Sequence, residues 1–104
     1  MSKKQLELES KLFKGFADQS RLAILETILE GPKTVSEIVK ETELTQPNTS
    51  AHLACLLDCE LVKKEKRGRK VFYSISADEI RSIILDARRI LSRRGKEIFK
   101  CTRY

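Results

Sequence analysis

The chain has 104 residues, of which 40% are hydrophobic and 35% are charged. This length suits one domain, and the hydrophobic content excludes an intrinsically disordered chain. No apolar run approaches the roughly 18 residues of a membrane span, and the opening MSKKQLELESK lacks the apolar segment of a secretory signal. We therefore expect a cytoplasmic protein with no membrane partner, whose three cysteines are thiols or metal ligands rather than disulfides.

The net charge of +6 is unevenly distributed along the chain. Residues 1–60 carry 7 basic and 10 acidic side chains, a balance of −3, whereas residues 61–104 carry 14 and 5, a balance of +9. Such an excess favours a polyanionic partner, most simply nucleic acid. The alternative is that these lysines and arginines are ordinary solvated surface.

Hydrophobic spacing predicts four short helices before residue 60. The first lies within residues 1–16, and the second ends before Gly31-Pro32. Thr34-Val-Ser-Glu37 has the pattern of a capping box, which opens a third helix. Thr45 is an N-cap for a fourth helix that runs to about Cys59.

The pattern then changes to alternation, which predicts strands over Leu61–Lys66 and Arg69–Ile75 and is followed by a last helix over residues 77–98. The predicted fold is mainly α with a small β-hairpin, in the order α-α-α-α-β-β-α. This is the layout of a winged helix-turn-helix. Residues 1–104 would form one DNA-binding domain, with the helix-turn-helix at 34–59, the wing at 61–75 and a tail at 99–104.

The fourth helix has the composition expected of a helix that reads DNA. Its first turn is rich in small hydrogen-bonding groups, which suit base edges and phosphates. The hairpin carries cations that suit phosphate contact. The candidate DNA-binding residues are Gln46, Asn48, Thr49, Ser50, His52, Lys63, Lys64, Arg67, Arg69 and Lys70.

The terminal helices predict a homodimer. Together they offer more apolar surface than a monomer of this size covers. The candidate interface residues are Leu12, Phe16, Ile83, Ile84, Ala87 and Leu91. Two-fold symmetry would match an inverted repeat in the DNA.

Several motifs, in order, resemble the ArsR/SmtB repressors over roughly residues 12–91. They are Ala17-Asp18-Gln19-Ser20-Arg21-Leu22-Ala23-Ile24-Leu25, Thr34-Val35-Ser36-Glu37-Ile38, Ser50-Ala51-His52-Leu53, Leu61-Val62 and Gly68-Arg69-Lys70-Val71-Phe72-Tyr73-Ser74-Ile75. The resemblance implies a dimeric winged-helix repressor of the kind that metal ions release from DNA. One departure is Glu60, where the family usually has the glycine that ends the reading helix in a left-handed conformation.

Cys55 and Cys59 are four residues apart on the predicted reading helix, opposite its leucine stripe. This spacing places their Cβ atoms roughly 5–6 Å apart, so both thiols can bind one ion. Cys101, in the predicted tail, is a candidate third ligand, and three thiolates suit large thiophilic ions better than Mg²⁺ or Ca²⁺. Oxidation of the thiols and the absence of any sensing function are the alternatives.

The positions of the cysteines resemble those of the cadmium- and lead-sensing CmtR-like branch of the family. That resemblance implies Cd(II) or Pb(II) as inducer, with Zn(II) possible, at a metal site of Cys55, Cys59 and Cys101 in which the tail comes from the partner subunit. His52 lies on the same helix face as the two reading-helix cysteines and is a candidate fourth ligand. We expect it instead to contact DNA or to support the helix.

An enzyme is not expected. The chain has one histidine, no glycine-rich phosphate loop and no pair of nucleophile and base. No organic cofactor is expected either. A module that binds only proteins would explain the apolar terminal helices but not the basic wing.

Overall fold

The computed structural model describes all 104 residues. Its elements follow the predicted order, and the predicted winged helix-turn-helix fold is confirmed. They are α1 (Lys3–Phe16), α2 (Gln19–Thr27), α3 (Val35–Thr42), α4 (Gln46–Asp58), β1 (Val62–Arg67), β2 (Lys70–Ile75) and α5 (Asp78–Lys100).

Short polar side chains determine where α2, α3 and α4 begin. The Asp18 carboxylate accepts from the Arg21 amide at 3.0 Å, and the Thr45 hydroxyl accepts from the Asn48 amide at 3.2 Å. The predicted capping box is present: the Thr34 amide donates to Glu37 at 2.9 Å and the Glu37 amide donates to the Thr34 hydroxyl at 3.3 Å. Each bond satisfies a backbone group that a helix end leaves without a partner.

The core lies where α2, α3 and α4 meet the base of the hairpin. Its fully buried apolar side chains come from all three helices and include Ile24, Leu25, Ile28, Ile38, Leu53 and Leu56. Burial of one stripe of α4 fixes which side of that helix remains at the surface.

The wing is an antiparallel pair that runs from Val62 opposite Ile75 to Arg67 opposite Lys70. Both strands begin one residue later than predicted. A third contribution to the sheet was not predicted: the Lys33 amide donates to the Tyr73 carbonyl at 2.9 Å and the Tyr73 amide donates back at 2.8 Å. These two bonds attach the wing to the segment between α2 and α3.

α4 ends in a left-handed turn despite its lack of glycine. Glu60 has φ +60°, its amide donates to the Leu57 carbonyl at 3.0 Å, and the Leu61 amide donates to the Leu56 carbonyl at 3.0 Å. This is the Schellman arrangement of a helix end. The Ser76 hydroxyl donates to the Glu60 carbonyl at 2.6 Å and ties the turn to the chain after β2. The helix stop therefore keeps the left-handed geometry, although the residue type departs from the family pattern.

α5 ends two residues later than predicted and begins one residue later. It ends at Lys100, and the amide of Cys101 still donates to the Glu97 carbonyl at 3.1 Å. The expected tail at 99–104 is thus wrong in extent, because the helical hydrogen bonds continue to Cys101. None of the helices has both the length and the apolar character needed to cross a membrane.

Candidate nucleic-acid interface and metal centre

The first turn of α4 presents polar side chains at the surface. Gln46, Asn48 and Ser50 are exposed, while the opposite side of the helix is buried in the core. Pro47 fits because the first turn of a helix needs no amide donor at that position. This exposed edge has the groups and the shape to enter a major groove.

Thr49 does not belong to this exposed edge, and the expectation that it contacts DNA is wrong. Its side chain is 0% exposed, and its hydroxyl donates to the Thr45 carbonyl at 2.9 Å. The core holds this side chain, since the position faces the same side of α4 as Leu53 and Leu56.

His52 is half-buried and lies near the start of α2. The pKa of Asp18 is lowered, chiefly by the hydrogen bond from the Arg21 amide and, more weakly, by the charge of Arg21 and the neighbourhood of His52. His52 is therefore close to the Asp18 cap. This position fits helix support, one of the two roles expected for His52 beside DNA contact.

The wing cations are all exposed, and the strand register distributes them over two faces. Lys63, Arg67 and Lys70 share one face, because paired positions project to the same side and side chains alternate along a strand. Lys64 lies on the other face, and Arg69 lies in the turn after Gly68, whose φ is +62°. Cations on both faces of the hairpin suit contact with the phosphates of the DNA backbone.

The Arg67 side chain contacts two other side chains of the wing. Its guanidinium lies 5.3 Å from the centroid of the Phe72 ring and 3.4 Å from the Glu65 carboxylate. Neither Phe72 nor Glu65 was predicted from the sequence as a support of this cation. The strand register pairs Glu65 with Phe72 on the same face as Arg67, so a correct prediction of the register would have identified both contacts.

Cys55 and Cys59 are exposed neighbours at the end of α4. Partial burial, together with the adjacent Cys55 thiol, raises the pKa of Cys59, against a weaker opposite effect of the Lys11 ammonium. The helix thus brings together the two thiols that the sequence predicted as ligands.

Cys101 is half-buried at the end of α5, and one chain does not bring it to the α4 pair. Within one chain no three His, Cys, Asp or Glu side chains are grouped to hold a metal ion. Two thiols alone do not saturate a tetrahedral or trigonal ion, so a metal site at Cys55 and Cys59 would need at least one further donor.

The predicted dimer residues divide into two groups. Leu12, Ala87 and Leu91 are exposed and Ile83 is half-buried, but Phe16 and Ile84 are only 8% and 2% exposed in a single chain. All except Leu12 line an apolar groove of about 390 Å³ between α1, α2 and α5, which the ion pair of Arg88 with Glu26 borders. Phe16 and Ile84 therefore form the floor of this groove rather than its outer surface.

Comparison with known proteins identifies relatives over most of the chain. The family described as "Bacterial regulatory protein, arsR family" matches residues 18–64. A probable mercury resistance operon repressor of Streptomyces lividans is 33% identical over 94 residues, which cover 90% of this chain and 75% of that protein. The arsenical resistance operon repressor of Bacillus subtilis is 36% identical over 73 residues, which cover 69% and 70%.

A solved structure shares the whole fold. The crystal structure of Rv0081 from Mycobacterium tuberculosis superposes with a TM-score of 0.84 at 28% identity, covering 94% of this chain and 99% of that one. The likeness extends over both terminal helices as well as the helix-turn-helix and the wing.

Proposed function

The chain belongs to the ArsR family of bacterial regulatory proteins and is a transcriptional regulator rather than an enzyme; we propose that it is a repressor whose inducer is a thiophilic metal ion, Cd(II) or Pb(II). One observation carries the proposal: Cys55 and Cys59 are exposed neighbours on α4, the same helix whose first turn presents Asn48 and Ser50. Metal ligands and DNA-reading groups therefore share one rigid element.

The DNA-bound form is a homodimer on an operator with inverted half-sites about one helical turn apart. In each subunit, α4 lies in the major groove with Gln46, Asn48 and Ser50 near base edges. The cations of the wing, Lys63, Lys64, Arg67, Arg69 and Lys70, contact the phosphates that flank it. The charge of residues 61–104 supports this arrangement, since neutralising phosphates supplies most of the affinity for DNA.

The metal site consists of Cys55 and Cys59 of one chain and Cys101 of the partner subunit, the arrangement that the CmtR-like resemblance implies. Two features of a single chain support it. Cys101 ends a helix of 23 residues, which is about 35 Å long, and most of the second half of α5 is exposed. The three donors are thiols, which suit Cd(II) or Pb(II) better than hard ions and leave Zn(II) a weaker candidate.

Metal binding weakens DNA binding because two of its ligands lie on the reading helix. Ligation ties the end of α4 to a segment outside its own chain and so changes its position against the groove. A hundredfold loss of DNA affinity corresponds to about 2.7 kcal/mol of coupling, and DNA must weaken metal binding by the same factor.

Thiol oxidation is the second candidate, favoured by two free, exposed thiols one helical turn apart on α4. Geometry opposes a disulfide between them within an intact helix, since the Cβ atoms of residues four apart are roughly 5–6 Å apart and a disulfide needs about 3.5–4.5 Å. An oxidised pair would require the last turn of α4 to unwind.

The test is a titration of operator binding by reduced protein with Cd(II), Pb(II) and Zn(II), followed by fluorescence anisotropy. We expect Cd(II) and Pb(II) to release the DNA at the lowest concentrations, and Cys55→Ser or Cys59→Ser to bind DNA but ignore metal. Titration of the free thiols after peroxide treatment tests the oxidation alternative. Release by peroxide, with no response to metals, would replace metal sensing by oxidation sensing.

A further inference from the structure

The last helix, α5, is joined to the rest of its own subunit at its first two turns. Its one buried side chain is Ile84, and most of the second half of the helix is exposed. The ion pair of Arg88 with Glu26 is a further link, but its side chains are 54% and 37% exposed, and such pairs contribute little. The orientation of α5 against the reading unit, defined as α2 to β2 (residues 19–75), therefore depends on contacts at the start of the helix.

Two side chains at the start of α5 hydrogen-bond to carbonyl groups that follow other helices. The Ser76 hydroxyl donates to the Glu60 carbonyl at 2.6 Å, just after α4, and the Ser76 amide donates to the Leu61 carbonyl at 3.2 Å. The Arg81 Nε donates to the Leu29 carbonyl at 3.0 Å, shortly after α2. Ser76 and Arg81, termed the α5 clamp, thus connect α5 to the reading helix and to α2.

The local structure directs both side chains of the α5 clamp away from α5. The N-cap residue Ala77 makes no side-chain hydrogen bond, and the adjacent Ser76 hydroxyl bonds to the end of α4 instead. Asp78 accepts from Arg81 Nη1 at 3.0 Å, which orients the guanidinium while Nε bonds to Leu29. Hydrogen bonds are directional, whereas apolar burial such as that of Ile84 is not. The α5 clamp therefore fixes an angle that apolar packing alone leaves adjustable.

The α5 clamp acts at the opposite end of α4 from the side chains that face DNA. α4 has 13 residues and is about 20 Å long. A rotation of about 10° at Glu60 would move the first turn of α4 by about 3.5 Å, close to the rise of about 3.4 Å for one base pair. A small change of angle at the α5 clamp thus equals one step along the DNA.

We infer that Ser76 and Arg81 are positioning residues that determine which spacing of operator half-sites the dimer accepts. Each α4 is fixed to its own α5, and the two α5 helices meet in the dimer, so the two clamps together set the separation of the reading helices. The inference rests on the proposed function, because it requires the homodimer and its inverted repeat. It adds a source of operator specificity in which the residues contact no base.

The experiment compares operators that differ only in the spacer between the half-sites. The operator is selected from random duplexes with the reduced wild-type protein, and its spacer is then shortened or lengthened by one base pair. This change moves the half-sites by about 3.4 Å and rotates them by about 35°. We expect the wild-type protein to lose at least about tenfold in affinity, the scale of one lost base contact, and Ser76→Ala or Arg81→Met to lose about threefold or less.

Two residues within α5 provide matched controls. The Ser92 hydroxyl donates to the Arg89 carbonyl at 2.7 Å, and Arg89 pairs with Asp86 at 3.0 Å, so both contacts stay inside the helix. Ser92→Ala and Arg89→Met remove the same chemical groups without loosening α5 from the reading unit, and should keep the wild-type spacing preference. Ser76→Thr retains the hydroxyl and should keep it too.

The ratio of affinities among the three operators decides the inference, because a variant that is merely less stable binds all of them more weakly by one factor. Such a uniform loss in Ser76→Ala and Arg81→Met, or an equal relaxation in the control variants, overturns the inference and leaves the proposed function intact. Selection that yields no paired half-sites rejects the inverted-repeat operator of the proposed function together with the inference.

Discussion

The amide of Leu61 donates to the carbonyl of Leu56 at 3.0 Å, and this bond ends α4 with Glu60 held in the left-handed region. A side chain at such a φ costs free energy that glycine does not pay. We predict that Glu60→Gly stabilises the protein by about 0.5–1 kcal/mol, measured by urea unfolding at fixed protein concentration. Glu7→Gly, in the exposed middle of α1, is the control and should destabilise by about 1 kcal/mol. Destabilisation by Glu60→Gly would show that the glutamate side chain itself supports the turn.

A substitution at Thr49 should change stability but not base preference, and one at Asn48 should do the reverse. Thr49→Val removes the buried hydrogen bond to the Thr45 carbonyl and should cost about 1 kcal/mol of stability with the ranking of operator variants unchanged. Asn48→Ala removes an exposed group and should flatten that ranking with little loss of stability. Binding competition among single-base operator variants measures the ranking. A changed ranking in Thr49→Val would mean that α4 rotates on the DNA.

The wing turn should contribute affinity without sequence preference. Arg69→Ala should reduce the slope of log K against log salt by about 0.9 for each phosphate that the variant no longer neutralises. Lys3→Ala, which removes an exposed cation at the start of α1, is the charge-matched control and should leave the slope unchanged. Equal slopes for the two variants would exclude the wing turn from the phosphate backbone.

The dimer interface is best tested on the outside of the α5 groove. Leu91 is 52% exposed, so Leu91→Glu should give folded monomers that bind the operator poorly. Ile84 is 2% exposed, so Ile84→Glu should instead unfold the chain, at a cost above about 3 kcal/mol. Sedimentation and circular dichroism distinguish the two results. A Leu91→Glu protein that remains dimeric would place the interface elsewhere.

Metal affinity should rise with pH. The raised pKa of Cys59 keeps this thiol protonated at neutral pH, so ligation must release its proton. Below that pKa the apparent affinity should increase by up to about tenfold per pH unit for each proton released. Cd(II) titrations against a chelator at several pH values measure the slope, and Cys59→Ser should lower it by one proton. Cys101→Ser should also weaken Cd(II) binding; unchanged affinity would remove Cys101 from the site.

Local signals in the sequence predicted the fold well, because caps, breakers and hydrophobic periods act within a few residues. Thr34 and Thr45 lie where those signals place them, and the hairpin turn lies at Gly68-Arg69, one residue later than the predicted strand bounds imply. The candidate site was harder to predict. Residue type suggested DNA contact for Thr49, whereas packing of α4 on its neighbours buries it.

Two other features depend on contacts between distant residues. The left-handed conformation of Glu60 is supported by Ser76, sixteen residues later, and no local pattern predicts that hydrogen bond. The close packing of α1 on Leu61 depends on Gly15, where a Cβ atom would lie 2.9 Å from Leu61 Cδ1. Such relationships appear only when the chain has folded, so periodicity and motif spacing cannot give them.

The exposed second half of α5 should make the stability of the folded regulator depend on its concentration. Leu91, Ile98 and Phe99 are 52%, 37% and 90% exposed in a single chain. Association that covers them stabilises the folded form by mass action, so the melting temperature should depend on protein concentration. A cell that makes few copies would lose repressor to unfolding and proteolysis as well as to incomplete pairing. Repression should therefore decline more steeply with expression level than operator affinity alone predicts.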